Sequence, residues 1–220
     1  MTFIRKFAAS FCAMLAFAGA AAQAQTAAAP IAAPSPDNVW HLDLSTGGRV
    51  SIQLRPDAAP AHVARIRTLT RQGFYNGIVF HRVIEGFMAQ SGDPTGTGQG
   101  GSTLPDLEPE FNRLPHLRGA VAMARTEAPN SANSQFYIVL QPVLTLDGRY
   151  TVFGRVVAGM NFVDAIERGE PPAAPSRIVR ASIGSDNVAA LSAEELLAAA
   201  APPAPAPAPP APASVVTPPR

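Results

Sequence analysis

Through the middle of the chain, apolar and polar residues mostly alternate one for one, the period of a strand with one face buried. Val39 to Ser45 and Arg49 to Leu54 do so on either side of Thr46-Gly47-Gly48, which predicts a hairpin. Further runs that read as strands are Val79 to Ile84, Phe87 to Ser91, Ala120 to Ala124, Gln135 to Leu140, Val152 to Val157 and Ile178 to Ile183. Two segments break this period. Asp57 to Gln72 carries Pro60 in its first turn, Val63, Ile66 and Leu69 on one face, and Gly73 as a stop. Met160 to Arg168 spaces Met160, Val163 and Ile166 helically and ends at Gly169. Eight short strands and two helices predict a mainly β fold, an eight-stranded closed antiparallel β-barrel capped by two α-helices. A two-sheet sandwich is the other arrangement this pattern allows.

The ends follow different rules. Arg5 and Lys6 precede an apolar stretch from Phe7 to Ala22, and Ala22-Gln23-Ala24 offers a small-residue cleavage site. Residues 1–24 therefore read as a signal peptide cleaved near Ala24, which predicts export to the periplasm. The apolar run falls short of the roughly 20 residues of a membrane span, so no stable membrane insertion is expected after cleavage. Cleavage also removes Cys12, the one cysteine, leaving no thiol or disulfide in an oxidising compartment. Residues 25–36 form an Ala/Pro-rich linker, and residues 37–186 have the size of one domain. In residues 187–200, Ser192 and Glu195 predict a capping box opening a short helix. Residues 201–220 form a Pro/Ala-rich tail, nine of whose twenty residues are proline. That composition predicts disorder with an extended reach of about 60 Å. A formal net charge of +1 gives no reason to expect nucleic acid as a partner, and a monomer is expected.

Hydrolytic and metal chemistry find no support. His41, His62, His81 and His116 show no helical i,i+4 pairing and stand beside no cysteine. No Gly-x-Ser-x-Gly turn occurs. The glycine-rich run Asp93 to Gly101 lacks the Gly-Lys-Ser/Thr ending of a phosphate loop and reads as a flexible surface loop. No cofactor is implied.

What does stand out is a set of runs in a fixed order. Val79-Phe80-His81-Arg82-Val83-Ile84 is followed by Gly86-Phe87-Met88-Ala89-Gln90-Ser91-Gly92-Asp93, then by Gly98-Gln99-Gly100-Gly101. Gly119 to Ala124, Asn133-Ser134-Gln135-Phe136-Tyr137-Ile138, Leu146-Asp147-Gly148, Val152-Phe153-Gly154 and Gly159-Met160 come after. Together they resemble the cyclophilins over roughly Val39 to Gly184. The resemblance implies a peptidyl-prolyl cis-trans isomerase acting on proline-containing, unfolded or extended polypeptides, here in the folding of exported proteins. It implies that Arg82 is catalytic, that Phe87, Met88, Tyr137 and Leu146 line a proline pocket, and that Gln90 holds the arginine and the substrate backbone. Gln135 does similar polar work, the backbone near Ala124 and Arg125 pairs with the peptide, and Tyr150 keeps an aromatic wall. The alternative is a weakly active proline-binding module or chaperone with the same groove.

Elementary chemistry agrees with such an arginine. Amide resonance sets a rotation barrier of about 18–20 kcal/mol, so uncatalysed exchange takes ~10–100 s. At the twisted geometry the prolyl nitrogen regains its lone pair, and a donor aimed at it stabilises that state over both planar ones. No proton need move, and a guanidinium offers a rigid fork of permanently charged donors. His81, next along the strand, turns to the opposite face and reads as structural.

The chain also departs from the family. Ala124-Arg125-Thr126 replaces Ala-Asn-Ala and is expected to narrow substrate choice, while Tyr137 adds a hydroxyl where phenylalanine is common. Thr145 stands where many members have a tryptophan that donates to cyclosporin. Cyclosporin should therefore inhibit poorly while peptide turnover persists, which an inhibitor titration of the isomerase rate checks.

Overall fold

A computed structural model describes residues 35–199. The expected leader, nearly all of the linker and the tail lie outside the described residues. The eight strands are β1 (Val39–Leu44), β2 (Gly48–Leu54), β3 (Arg82–Ile84), β4 (Met88–Ser91), β5 (Ala120–Met123), β6 (Phe136–Val139), β7 (Val152–Ala158) and β8 (Ile178–Ile183). The helices are α1 (Pro60–Arg71), α2 (Met160–Asp164) and α3 (Ala193–Ala198). All eight strands join one antiparallel sheet in the order β3-β4-β6-β5-β7-β2-β1-β8.

The sheet is curled but open, a half-barrel in place of the closed barrel the pattern predicted. No ladder joins β3 to β8, and only isolated bridges, Val79 to Arg177 and Val83 to Gly169, link the two ends. The expected strand from Val79 shortens accordingly to Arg82–Ile84. The reason lies opposite it, where Gly169 to Pro175 contains Pro171, Pro172 and Pro175. Proline has no N–H to give a ladder, so that stretch can make single bridges but not a strand.

Helix bounds differ from expectation for similarly local reasons. Helix α1 begins at Pro60, where a missing N–H costs nothing. Its first free amides, those of Ala61 and His62, each donate at 3.0 Å to the carboxylate of Glu110, which supplies a cap from a distant loop. Helix α2 stops at Asp164, four residues before the expected end. Ile166 N–H turns back to Val163 O, and Glu167 N–H donates to Ser176 Oγ at 3.1 Å.

The concave face of the sheet and α1 enclose the main core. Trp40, fully buried, sits with its edge toward Phe136 (centroids 4.9 Å apart) and Tyr75 (5.2 Å). Asp43 is buried too, and two guanidiniums hold it: Arg49 Nε at 2.7 Å and Arg180 Nη2 at 3.0 Å. Both arginines also donate to the carbonyls of residues 188–189, which ties the segment leading to α3 onto the β1–β2 hairpin. Ser192 and Glu195 cap that helix reciprocally, and Leu196 is its buried contact. Among the described residues no helix is long and apolar enough to cross a membrane.

Truncating Trp40 to alanine should cost about 3–5 kcal/mol, the usual range for a large buried aromatic. Urea unfolding of Trp40→Ala against wild type, followed by circular dichroism, measures it.

Candidate active site

Period two divides the central strands between two cores. Ala89, Val121, Met123, Phe136, Ile138 and Phe153 point into the main core. Their immediate neighbours Met88, Ala120, Ala122, Tyr137, Val139 and Val152 form a second cluster on the convex face. This explains why β5 and β6 are buried along their whole length. At the sheet edge Val83 belongs to the main core, so Arg82 and Ile84 must face the second cluster. Ladder register then sets Arg82 opposite Gln90, Gln90 opposite Tyr137, and Ile84 opposite Met88.

A notch of about 130 Å³ opens on this convex face. Its floor and walls come from Phe87, Met88, Tyr137 and Leu146, with Ala124, Arg125 and Tyr150 on one rim and Arg82 and Gln90 on the other. Nine of the ten residues singled out in the sequence thus meet in one place. Gln135 does not line the notch. It borders a more polar pocket of about 340 Å³ alongside, which shares Gln90, Ala124 and Arg125 with the notch.

The polar side chains are mostly committed. Gln90 Nε2 donates to Gln135 Oε1 at 2.9 Å, and Gln135 Nε2 donates to the carbonyls of Gly98 (3.0 Å) and Gly100 (2.8 Å). Arg82 pairs across the seam: its Nε donates to Glu170 Oε2 at 2.7 Å. Arg125 lies along the rim with its Cζ 4.7 Å from the Tyr150 ring centroid and donates to Arg149 O at 2.7 Å. Its longer side chain thus stays folded against the rim.

Sequence reasoning missed four contributors, His116, Asp147, Phe111 and Glu170. His116 is fully buried behind the notch, its Nδ1 2.7 Å from Asp147 Oδ1 and its Nε2 3.1 Å from the Tyr137 hydroxyl. This chain holds the Tyr137 ring in place, and burial pushes the phenol far above its ordinary range. Asp147 sits inside the Leu146-Asp147-Gly148 run, the one signal that could have led to it. Phe111, whose ring centroid lies 5.8 Å from the Arg125 Cζ, and Glu170 are in loops without any motif. His81 is buried, as expected of a structural residue, and neither ring nitrogen has a hydrogen-bond partner. Burial lowers its pKa, while the nearby Asp93 carboxylate pulls the other way.

The loop from Asp93 to Gly101 is more tightly held than its glycine content suggested. Asp93 is fully buried and accepts from Thr95 N–H (2.7 Å), Thr95 Oγ1 (2.8 Å), Thr97 N–H (3.0 Å) and Gly98 N–H (2.6 Å). Glycine lets the backbone come this close: a Cβ on Gly100 would stand 2.2 Å from Asp93 Oδ1. The carbonyls of Gly98 and Gly100 that receive Gln135 are presented by this wrapped loop. Among the described residues no group of three or more His, Cys, Asp or Glu could hold a metal ion. The arrangement offers a small apolar seat with a cationic donor at its edge, suited to a compact ring attached to a polar backbone.

Comparison with known proteins gives consistent results. The family model described as "Cyclophilin type peptidyl-prolyl cis-trans isomerase/CLD" matches residues 41–183. A probable peptidyl-prolyl cis-trans isomerase of Brucella suis biovar 1 is 44% identical over 202 residues, covering 84% of this chain and 99% of the relative. The isomerase ppi1 of Schizosaccharomyces pombe is 37% identical over 150 residues, covering 64% of this chain and 97% of the relative. Among solved structures, cyclophilin AquaCyp293 from Hirschia baltica superposes with a TM-score of 0.64 at 32% identity, covering 69% of this chain and 76% of its own. A Cryptosporidium parvum cyclophilin-type isomerase, crystallised in the presence of the dipeptide Ala-Pro, gives 0.62 at 27% identity, covering 66% and 98%.

Burial pushes the Asp93 carboxyl up, but the Thr95 hydroxyl and the amides of Thr95, Gly100 and Gly98 outweigh it and hold the group at about 2, below the usual 3.8. A depressed folded-state pKa stabilises above the unfolded value and is lost as pH falls from about 4 through about 2. The contribution at neutral pH is about 2 kcal/mol. Asp93→Asn should flatten the pH dependence of stability between pH 2 and 5, read from denaturant midpoints of both proteins.

Proposed function

The chain belongs to the cyclophilin-type peptidyl-prolyl cis-trans isomerases, and on that premise we propose that Arg82 and the notch beside it perform the catalysis, on extended proline-containing segments of exported polypeptides. The enzyme accelerates rotation about X-Pro bonds. The observation that carries the site assignment is the Arg82 guanidinium standing at the rim of the notch shared by Phe87, Met88, Tyr137 and Leu146. An apolar seat fixes the prolyl ring while the acyl side of the bond turns. As the amide loses planarity, the nitrogen lone pair localises and accepts from the guanidinium. Planar ground states present no such acceptor, so the contact strengthens only near the transition state and lowers the barrier. Each ~1.4 kcal/mol of that differential binding is worth tenfold in rate.

Gln90, Gln135 and the Ala124–Arg125 backbone form the polar flank along which the peptide lies in this reading, and Tyr150 closes the aromatic side. The Ala-Pro dipeptide present with the Cryptosporidium relative supports a proline-containing ligand for this notch. The reading of residues 1–24 as a leader supports a bacterial, exported enzyme working in the periplasm. The same reading leaves residues 37–186 as the working domain, in a monomer not inserted in the membrane after cleavage.

Arg82→Ala should lower the exchange rate about a hundredfold, the usual scale for loss of one preorganised donor. NMR exchange on an Ala-Pro-Phe peptide measures it. An unchanged rate would remove Arg82 from the reaction, and retained peptide affinity without any wild-type acceleration would make the chain a binding module.

A further inference from the structure

The bond on Arg82 comes from the loop between α2 and β8, and the backbone delivers it. Val83 N–H donates to Gly169 O at 2.8 Å and Gly169 N–H returns to Val83 O at 2.9 Å, a hydrogen-bonded antiparallel pair. One step back from Val83 is Arg82, and one step on from Gly169 is Glu170, so antiparallel register sets these two opposite each other. Val83 points into the main core, and alternation carries Arg82 to the convex face where Glu170 meets it. The bridge needs glycine at its own position. Gly169 holds φ +143°, and a Cβ there would lie 2.6 Å from Pro172 Cα. The ion pair is therefore built into the register of the chain.

We propose that Glu170 is a positioning residue for the isomerase reaction: it holds Arg82 by Nε so that the two Nη groups are presented over the notch. The proposal rests on Arg82 being the catalytic donor. An arginine side chain is long and flexible, and this one is 41% exposed, so without a partner its guanidinium would spread over many orientations. Gln90, its ladder neighbour, donates to Gln135 instead. A carboxylate on Nε leaves both terminal nitrogens for the substrate, and fixing the fork beforehand keeps ordering costs out of the reaction step. Glu170 is itself half exposed, and an ion pair so exposed adds little to folding stability. Its consequence is orientation.

The test compares wild type, Glu170→Ala, Glu170→Gln, Arg82→Ala, the Arg82→Ala/Glu170→Ala double variant and Glu85→Ala, each by kcat, KM and melting temperature on the same peptide. Glu85 pairs with Arg168 at 2.7 Å at the turn after β3, outside the notch, and controls for loss of a nearby negative charge. Glu170→Ala should lower kcat about three- to tenfold with KM and melting little changed. Glu170→Gln, whose amide oxygen can still accept from Nε, should recover most of the rate. Adding Glu170→Ala to Arg82→Ala should change nothing further, and Glu85→Ala should match wild type. A wild-type kcat in Glu170→Ala, an equal loss in Glu85→Ala, or a loss that persists at full size without Arg82 would each overturn the proposal. If Arg82→Ala alone matches wild type, the catalytic reading of the arginine fails and the proposal falls with it, which that single variant distinguishes.

Discussion

A strand can send a side chain only to one face or the other, and everything at this site follows from how β3 to β7 use that choice. One set of alternating residues fills the half-barrel around Trp40, and the set between them builds the convex notch. The two cannot vary separately. A slip of one residue in β4 would exchange Met88 and Gln90 for Ala89 and put the pocket floor into the core. Packing around Ala89, Phe136 and Ile138 therefore fixes the position of Met88, Gln90 and Tyr137 to within a side-chain rotamer. The core specifies the site because both hang from the same backbone.

Carboxylates, one of them (Asp93) fully buried, complete the framework where the ladder does not reach. Asp93 gathers the amides of its own loop, Glu110 caps α1, and Asp147 reaches His116 and through it the Tyr137 hydroxyl. Each places an acceptor among donors that would otherwise be left unsatisfied away from water. The aromatic side of the notch and the glycine loop of the pocket beside it are consequently held in place. Arg82 is the exception. It stands on a three-residue edge strand with solvent beside it, and its side chain donates to Glu170 across an open seam. The half-barrel's failure to close leaves that edge with a single bridge, Val83 to Gly169, in place of a ladder.

Legibility in the sequence tracked locality. All eight strands and the two longer helical signals could be read from period and from stop residues such as Gly73. Seven of the nine residues that meet at the notch lie inside the ordered motifs, and Arg125 and Tyr150 stand beside them. Helix α2 was read too long because Met160, Val163 and Ile166 keep helical spacing past its end, while Glu167 N–H leaves the helix for Ser176 Oγ. The closed barrel was expected because strand number alone argues for closure, and nothing in the strands themselves reveals that Pro171, Pro172 and Pro175 lie opposite the short β3. Gln135 was placed with the notch by the resemblance, yet its amide turns to the carbonyls of the glycine loop, a contact between segments more than thirty residues apart.

By itself, then, the amino-acid order determined the strand periods, the helical stops and the presence of a cation within its motif, because each depends on neighbours a few positions away; the apolar seat was implied only by the resemblance. Tertiary structure alone decided which carboxylate meets that cation, why Asp93 is buried under its own loop, and where the sheet stays open. Those outcomes rest on pairs such as Val83 with Gly169 and His116 with Asp147, whose partners are distant along the chain and meet only when the sheet curls. Periodicity records which face a residue takes, and it carries no record of what waits across the gap.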